Sequence, residues 1–118
     1  MKKLILVVTL LLSGCSLWMA DYDNNEYALV NRLRTEAILG DCSKESVKSM
    51  YFTSLELKNF SEYIPRNQAT IDLTNKLNII VEELYKRENP SAVYCKAKLN
   101  TISKSAEEIQ RVVGSKPR

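Results

Sequence analysis

The sequence predicts an all-α protein, a small up-down bundle of about four helices. Three observations lead there. Between residues 23 and 113 glycine and proline occur only at Gly40, Pro65 and Pro90, where helices should end. The segments between these breaks repeat apolar residues in steps of three and four, the period of a helix with one buried face. The connections are short, which makes consecutive helices antiparallel, and no segment alternates well enough to demand a sheet.

The chain begins Met1-Lys2-Lys3, runs apolar from Leu4 to Leu12 with Thr9 as the interruption, and reaches Leu12-Ser13-Gly14-Cys15. A basic start, a short apolar run and small residues before a cut mark a secretory signal over residues 1–14. The run of nine residues is too short for a membrane-spanning helix, which needs about 20. Leu12-Ser13-Gly14-Cys15 resembles the lipobox of bacterial lipoproteins. The resemblance implies cleavage before Cys15, lipid on its thiol, and palmitate or similar acyl chains holding the protein to a bilayer. Ser16 replaces the Asp that retains enteric-type lipoproteins at the inner membrane, so the same resemblance implies the outer membrane, facing the periplasm or the cell surface.

Cleavage would leave 104 of the 118 residues, one small domain by length. Losing Lys2 and Lys3 reduces the 17 basic residues to 15 against 14 acidic, a net charge of +1. With no basic stripe, nucleic acid is excluded as an expected partner. Residues 15–22 form a lipidated tether, in which Trp18 and Tyr22 are membrane-interface candidates because amphipathic aromatics favour the headgroup zone. Packing onto the base of the domain is the equal alternative for these rings.

The bundle domain spans 23–114. Asp23-Asn24-Asn25-Glu26 reads as a capping box, with Asp23 accepting from backbone amides and Glu26 reaching back. The first helix runs to about Leu39 with Val30, Leu33 and Ala37 inward, and Gly40 supplies a left-handed cap. The second begins after Asp41-Cys42-Ser43 and ends near Ile64, before Pro65. Val47, Met50, Ser54, Leu57, Ser61 and Ile64 form its inward face, widened by Tyr51. The third spans roughly 68–88 on Leu73, Leu77, Ile80, Val81 and Leu84. Asn89-Pro90 offers an N-cap and a first-turn proline for the fourth. This last helix carries Cys95, Leu99, Ile102, Ala106, Ile109 and Val113 as a heptad seam closed by Gly114. Residues 115–118 read as a frayed tail.

With Cys15 taken by lipid, Cys42 and Cys95 remain, an even number in an exported small domain, which favours a disulfide. An up-down bundle puts the first and third loops at one end, so Cys42 and a Cys95 one turn into the fourth helix can meet there. A redox or metal pair would call for a C-x-x-C spacing or histidine, and the chain has neither.

The absence of His removes Ser-His and Cys-His nucleophile systems and the commonest metal ligand. No catalytic residue, metal site or cofactor is therefore expected. Glu82-Glu83 and Glu107-Glu108 read as solvated helix faces, and the Asn59-Phe60-Ser61 triplet is discounted as a glycosylation site in a bacterial envelope. A binding role has more to work with. Phe52, Glu56, Asn59 and Tyr63 fall on a line opposite Val47, Met50 and Ser54, aromatics flanking polar groups as in protein interfaces.

The expected function is thus a non-enzymatic protein-binding module anchored in the cell envelope, its partners the bilayer and another envelope protein. Small size and lipobox also resemble bacteriophage outer-membrane spanins, which pair across the periplasm with an inner-membrane coiled-coil protein during lysis. The mature chain lacks the Pro-rich stretch usual in that group. A cell-wall hydrolase or inhibitor is a further alternative, as is an apolar-ligand carrier using space beside Ser54, Ser61 and Ala106. Polarity from the tether would put the Cys42–Cys95 end away from the bilayer and the Tyr63–Arg66 turn with the C-terminus toward it.

Overall fold

The computed structural model describes residues 20–118, which hold four helices: α1 (Asn24–Leu39), α2 (Lys44–Tyr63), α3 (Gln68–Lys86) and α4 (Ala92–Gly114). Each helix packs on its two neighbours in the ring α1–α2–α3–α4–α1, the arrangement of an up-down bundle. The signal peptide, Cys15 and Trp18 lie outside the described residues.

Side-chain caps start three of the helices. Asp23 accepts from the Asn25 and Glu26 amides at 2.8 and 3.1 Å, Ser43 from Ser46 at 3.1 Å, and Ser91 from Tyr94 at 3.1 Å. α2 stops where Ile64 turns extended before Pro65. The fourth helix begins at Ala92 rather than at Pro90, because Ser91 is the capping side chain and Asn89 instead turns the chain at φ 46°. Every inter-helix connection contains one such left-handed residue: Cys42 at φ 65°, Arg66 at φ 60° and Asn89.

Gly40 is not the expected left-handed cap. Its φ is −61°, and the positive φ falls on Cys42 two residues later. Gly40 answers a packing constraint instead, since a Cβ there would stand 3.0 Å from the Glu36 carbonyl oxygen and 3.3 Å from both Leu99 methyls. Gly114 likewise ends α4 without a left-handed turn, and Ser115 follows in right-handed geometry.

The heptad seam of α4 is buried at all six positions, and Val30, Leu33, Ala37, Val47, Met50 and Leu57 meet it from α1 and α2. α3 departs from expectation. Leu77, Val81 and Leu84 are buried, but Leu73 and Ile80 are only half-buried, and Thr70, Thr74 and Asn78 share the interior face. A threonine can do this cheaply when its hydroxyl returns to its own helix, as Thr74 does to the Ile71 carbonyl at 3.0 Å. Asn78 donates to the Ser54 hydroxyl at 2.9 Å across the α2–α3 seam.

Comparable polar links cross the other seams. Glu36 of α1 accepts from Thr53 and Ser49 of α2 at 2.7 and 3.1 Å. Lys98 of α4 donates to Glu83 of α3 at 2.7 Å, and Arg34 of α1 to Gln110 of α4 at 3.0 Å. Apolar faces slide over one another with little penalty, whereas a directed bond is satisfied at one register only.

Candidate interaction surfaces

Cys42 and Cys95 form a disulfide, with Cα atoms 6.1 Å apart, tying the α1–α2 loop to the first turn of α4. Asp41 sets this loop by accepting from the Ser43 amide at 3.0 Å. Hydrogen bonds from the Ser43 side chain and backbone hold the Asp41 carboxyl below its usual range.

At the same end, the start of α2 and the end of α3 diverge to leave an open cleft of about 780 Å³. Val47, Leu84, Tyr85, Pro90 and Cys42 supply its apolar lining, and Lys44, Lys48, Lys86 and Arg87 stand around it with Glu88. Tyr85 stacks on Tyr51 with ring centroids 4.5 Å apart, bridging α3 and α2. Lys86 is bonded to Glu82, which raises its pKa above the ordinary lysine value. Arg87 lies 4.1 Å over the Tyr94 ring.

The opposite end holds a feature that sequence reasoning missed. Glu26 does not reach back to its cap but turns inward and is fully buried. Its carboxylate accepts from Lys116 on one oxygen and from Ser61 and Asn67 on the other, the latter two at 2.8 Å each. Lys116 also donates to the Asn67 side-chain oxygen, and the Asn67 amide to the Ser61 carbonyl at 2.9 Å. One buried cluster thus joins α1, the end of α2, the α2–α3 turn and the C-terminal segment.

That segment is consequently no frayed tail. Lys116 is buried, the Tyr22 amide donates to the Pro117 carbonyl at 2.8 Å, and the Arg118 guanidinium lies 4.4 Å over the Tyr22 ring. Tyr22 also meets Tyr27 at 5.9 Å, and Ala20 is buried, so residues 20–22 pack on the base of the domain. Ser61 and Ser54, considered as room for an apolar ligand, are instead polar joints bonded to Glu26 and Asn78.

Phe52, Glu56, Asn59 and Tyr63 all lie on the exposed face of α2, with Phe52 53% and Tyr63 88% exposed. Phe52 touches Tyr51 and lies under Lys48 at one end of this stripe. Tyr63 at the other end borders a groove with Tyr22, Phe60 and Pro65 at the base. Among the described residues, no helix is long and apolar enough to cross a membrane, and no group of three His, Cys, Asp or Glu could hold a metal ion.

The helices and the bridge define a small disulfide-closed, up-down four-helix bundle with a clasped base, a cationic cleft at the other end and an aromatic stripe between. Compared with protein-family models, curated proteins and solved structures, the chain matches none.

Proposed function

We propose that this protein is an outer-membrane lipoprotein, anchored through acylated Cys15, whose bundle is a non-enzymatic module for binding another envelope protein. The observation that carries the binding role is the outward stripe on α2. A tyrosine 88% exposed and a phenylalanine 53% exposed stand one helix face away from a filled core. Large aromatics left in solvent on a rigid support are the residue type that anchors protein interfaces. The lipobox supports the anchor, and two acyl chains suffice for stable attachment.

The joined base fits this reading. The chain leaves the domain toward Cys15 beside Tyr22, so the α2–α3 turn and the C-terminus face the bilayer and the disulfide end faces away. Photo-crosslinkers placed at Phe52 and Tyr63 of the anchored protein should capture one discrete envelope partner, and the same probe at exposed Lys104 on α4 should not. Equal capture from all three positions would dispose of the stripe as an interface. Mass spectrometry of the amino-terminal peptide should find Cys15 acylated, and Cys15→Ser should release the protein from membranes.

A further inference from the structure

We infer that the cleft between the start of α2 and the end of α3 binds an acidic, extended segment of the partner protein. This rests on the module reading above and names the chemistry its partner must present. Four cations and one carboxylate line the cleft, Lys44, Lys48, Lys86 and Arg87 against Glu88. Among the described residues Lys86 pairs with Glu82, whereas Lys44, Lys48 and Arg87 form no ion pair.

The position of Lys44 sharpens the case. It is the first residue of α2, where the backbone amides already make the field positive and a cation is unfavourable. Lys48 stands one turn further along the same wall. Lys86 and Arg87 suit the carbonyl end of α3, whereas Lys44 at the opposite, positive end of α2 is an exposed charge with no ion-pair partner among the described residues. A partner's carboxylates would relieve it.

The shape and the donor types select among anions. The cations come from both walls, two from the start of α2 and two from the end of α3, and three of the four are lysines. Compact phosphate recognition favours forked guanidinium groups, whereas lysines around an apolar floor suit the charged rim of a protein interface. The apolar lining of Val47, Leu84, Tyr85 and Pro90 would take apolar side chains alternating with the acidic ones, as in an extended strand.

The test uses the full mature lipoprotein in non-ionic detergent and a fluorescent octapeptide alternating glutamate and leucine. The glutamate peptide should bind, its glutamine counterpart should not, and the affinity should fall as salt rises. Lys44→Glu with Lys48→Glu should weaken binding by about tenfold or more. Both lysines are exposed, and circular dichroism with thiol titration checks that the variant keeps its helices and disulfide. Lys86→Gln with Arg87→Gln, on the facing wall, should weaken binding less.

Equal binding of the glutamine peptide, unchanged affinity in the α2 variant, or displacement by inorganic phosphate at equimolar concentration would overturn the assignment. The module reading fails separately. Undiminished crosslinking from Phe52 and Tyr63 in the Lys44→Glu, Lys48→Glu protein would remove the cleft and leave the stripe standing. Loss of those crosslinks together with peptide binding would support the cleft.

Discussion

A methyl group at Gly40 would stand 3.0 Å from the Glu36 carbonyl oxygen and 3.3 Å from the Leu99 methyls. Leu99 can shift a little, but the carbonyl belongs to the last turn of α1 and cannot. Substituting alanine for glycine in ordinary backbone usually stabilises by about 0.4–1 kcal/mol through the unfolded chain, while overpacking costs about 1–3 kcal/mol. Gly40→Ala should therefore lose about 1 kcal/mol, read as a lower urea midpoint with unchanged slope; a raised midpoint would mean the carbonyl contact is not binding. The neighbouring Asp41 makes a prediction in pH. Its carboxyl is held below the ordinary value of 3.8 by Ser43. The folded pKa lies below the unfolded one, so the stabilisation is present above the unfolded pKa and disappears as pH falls through the folded value. Asp41→Asn should leave a stability profile that declines less steeply between about pH 5 and pH 2 and meets the wild-type curve at its acid end.

At the scale of elements, what is legible in the sequence depends on whether a residue's partner is near in the chain. α4 is legible because its seam repeats along one helix, and the disulfide because up-down topology brings its two loops to the same end. Glu26 is not. Its spacing from Asp23 is that of a capping box, and only a lysine 90 residues away makes it a buried charge. Lys116 follows a glycine near the end of the chain, a context shared by ordinary unpacked tails. The buried Thr74 and Asn78 are missed for a related reason, since a residue-type scale does not register a hydroxyl or amide that the fold satisfies; Thr70 is buried beside them with no hydrogen-bond partner for its hydroxyl among the described residues. Removing one member of a buried ion pair strands the other, which costs about 3–5 kcal/mol, whereas neutralising both costs far less. Lys116→Met should destabilise by about that amount in urea titration. Adding Glu26→Gln should recover most of the loss, because a glutamine oxygen still accepts from Asn67 or Ser61. Failure of the second change to rescue the first would show that the tail is held by the Tyr22–Pro117 and Arg118–Tyr22 contacts instead.

Over the whole molecule, the two fastenings divide the work between the ends. Cys42–Cys95 closes a sequence separation of 53 residues, worth about 4 kcal/mol in the chain-entropy treatment. The Glu26–Lys116 cluster secures the other end, and both fastenings attach to the same helix or its immediate extension. From Cys95 to Lys116 is 21 residues, about 30 Å along a helix at 1.5 Å per residue. Sites that far apart, with no shared partner, should act additively within about 0.5 kcal/mol. A domain of this size has a total stability on the order of 5–15 kcal/mol, so either loss alone is survivable and both together approach the whole. Cys42→Ala with Cys95→Ala should thus remain helical at 25 °C with a lower urea midpoint, as should Lys116→Met. The combined variant should lie near or beyond its unfolding midpoint in buffer alone, seen as loss of helical circular dichroism. A combined loss well below the sum would show that one end already opens when the other is released. The bundle would then behave as one cooperative unit, whereas additive losses mean two zones, in which the cleft beside the disulfide loosens without disturbing the base.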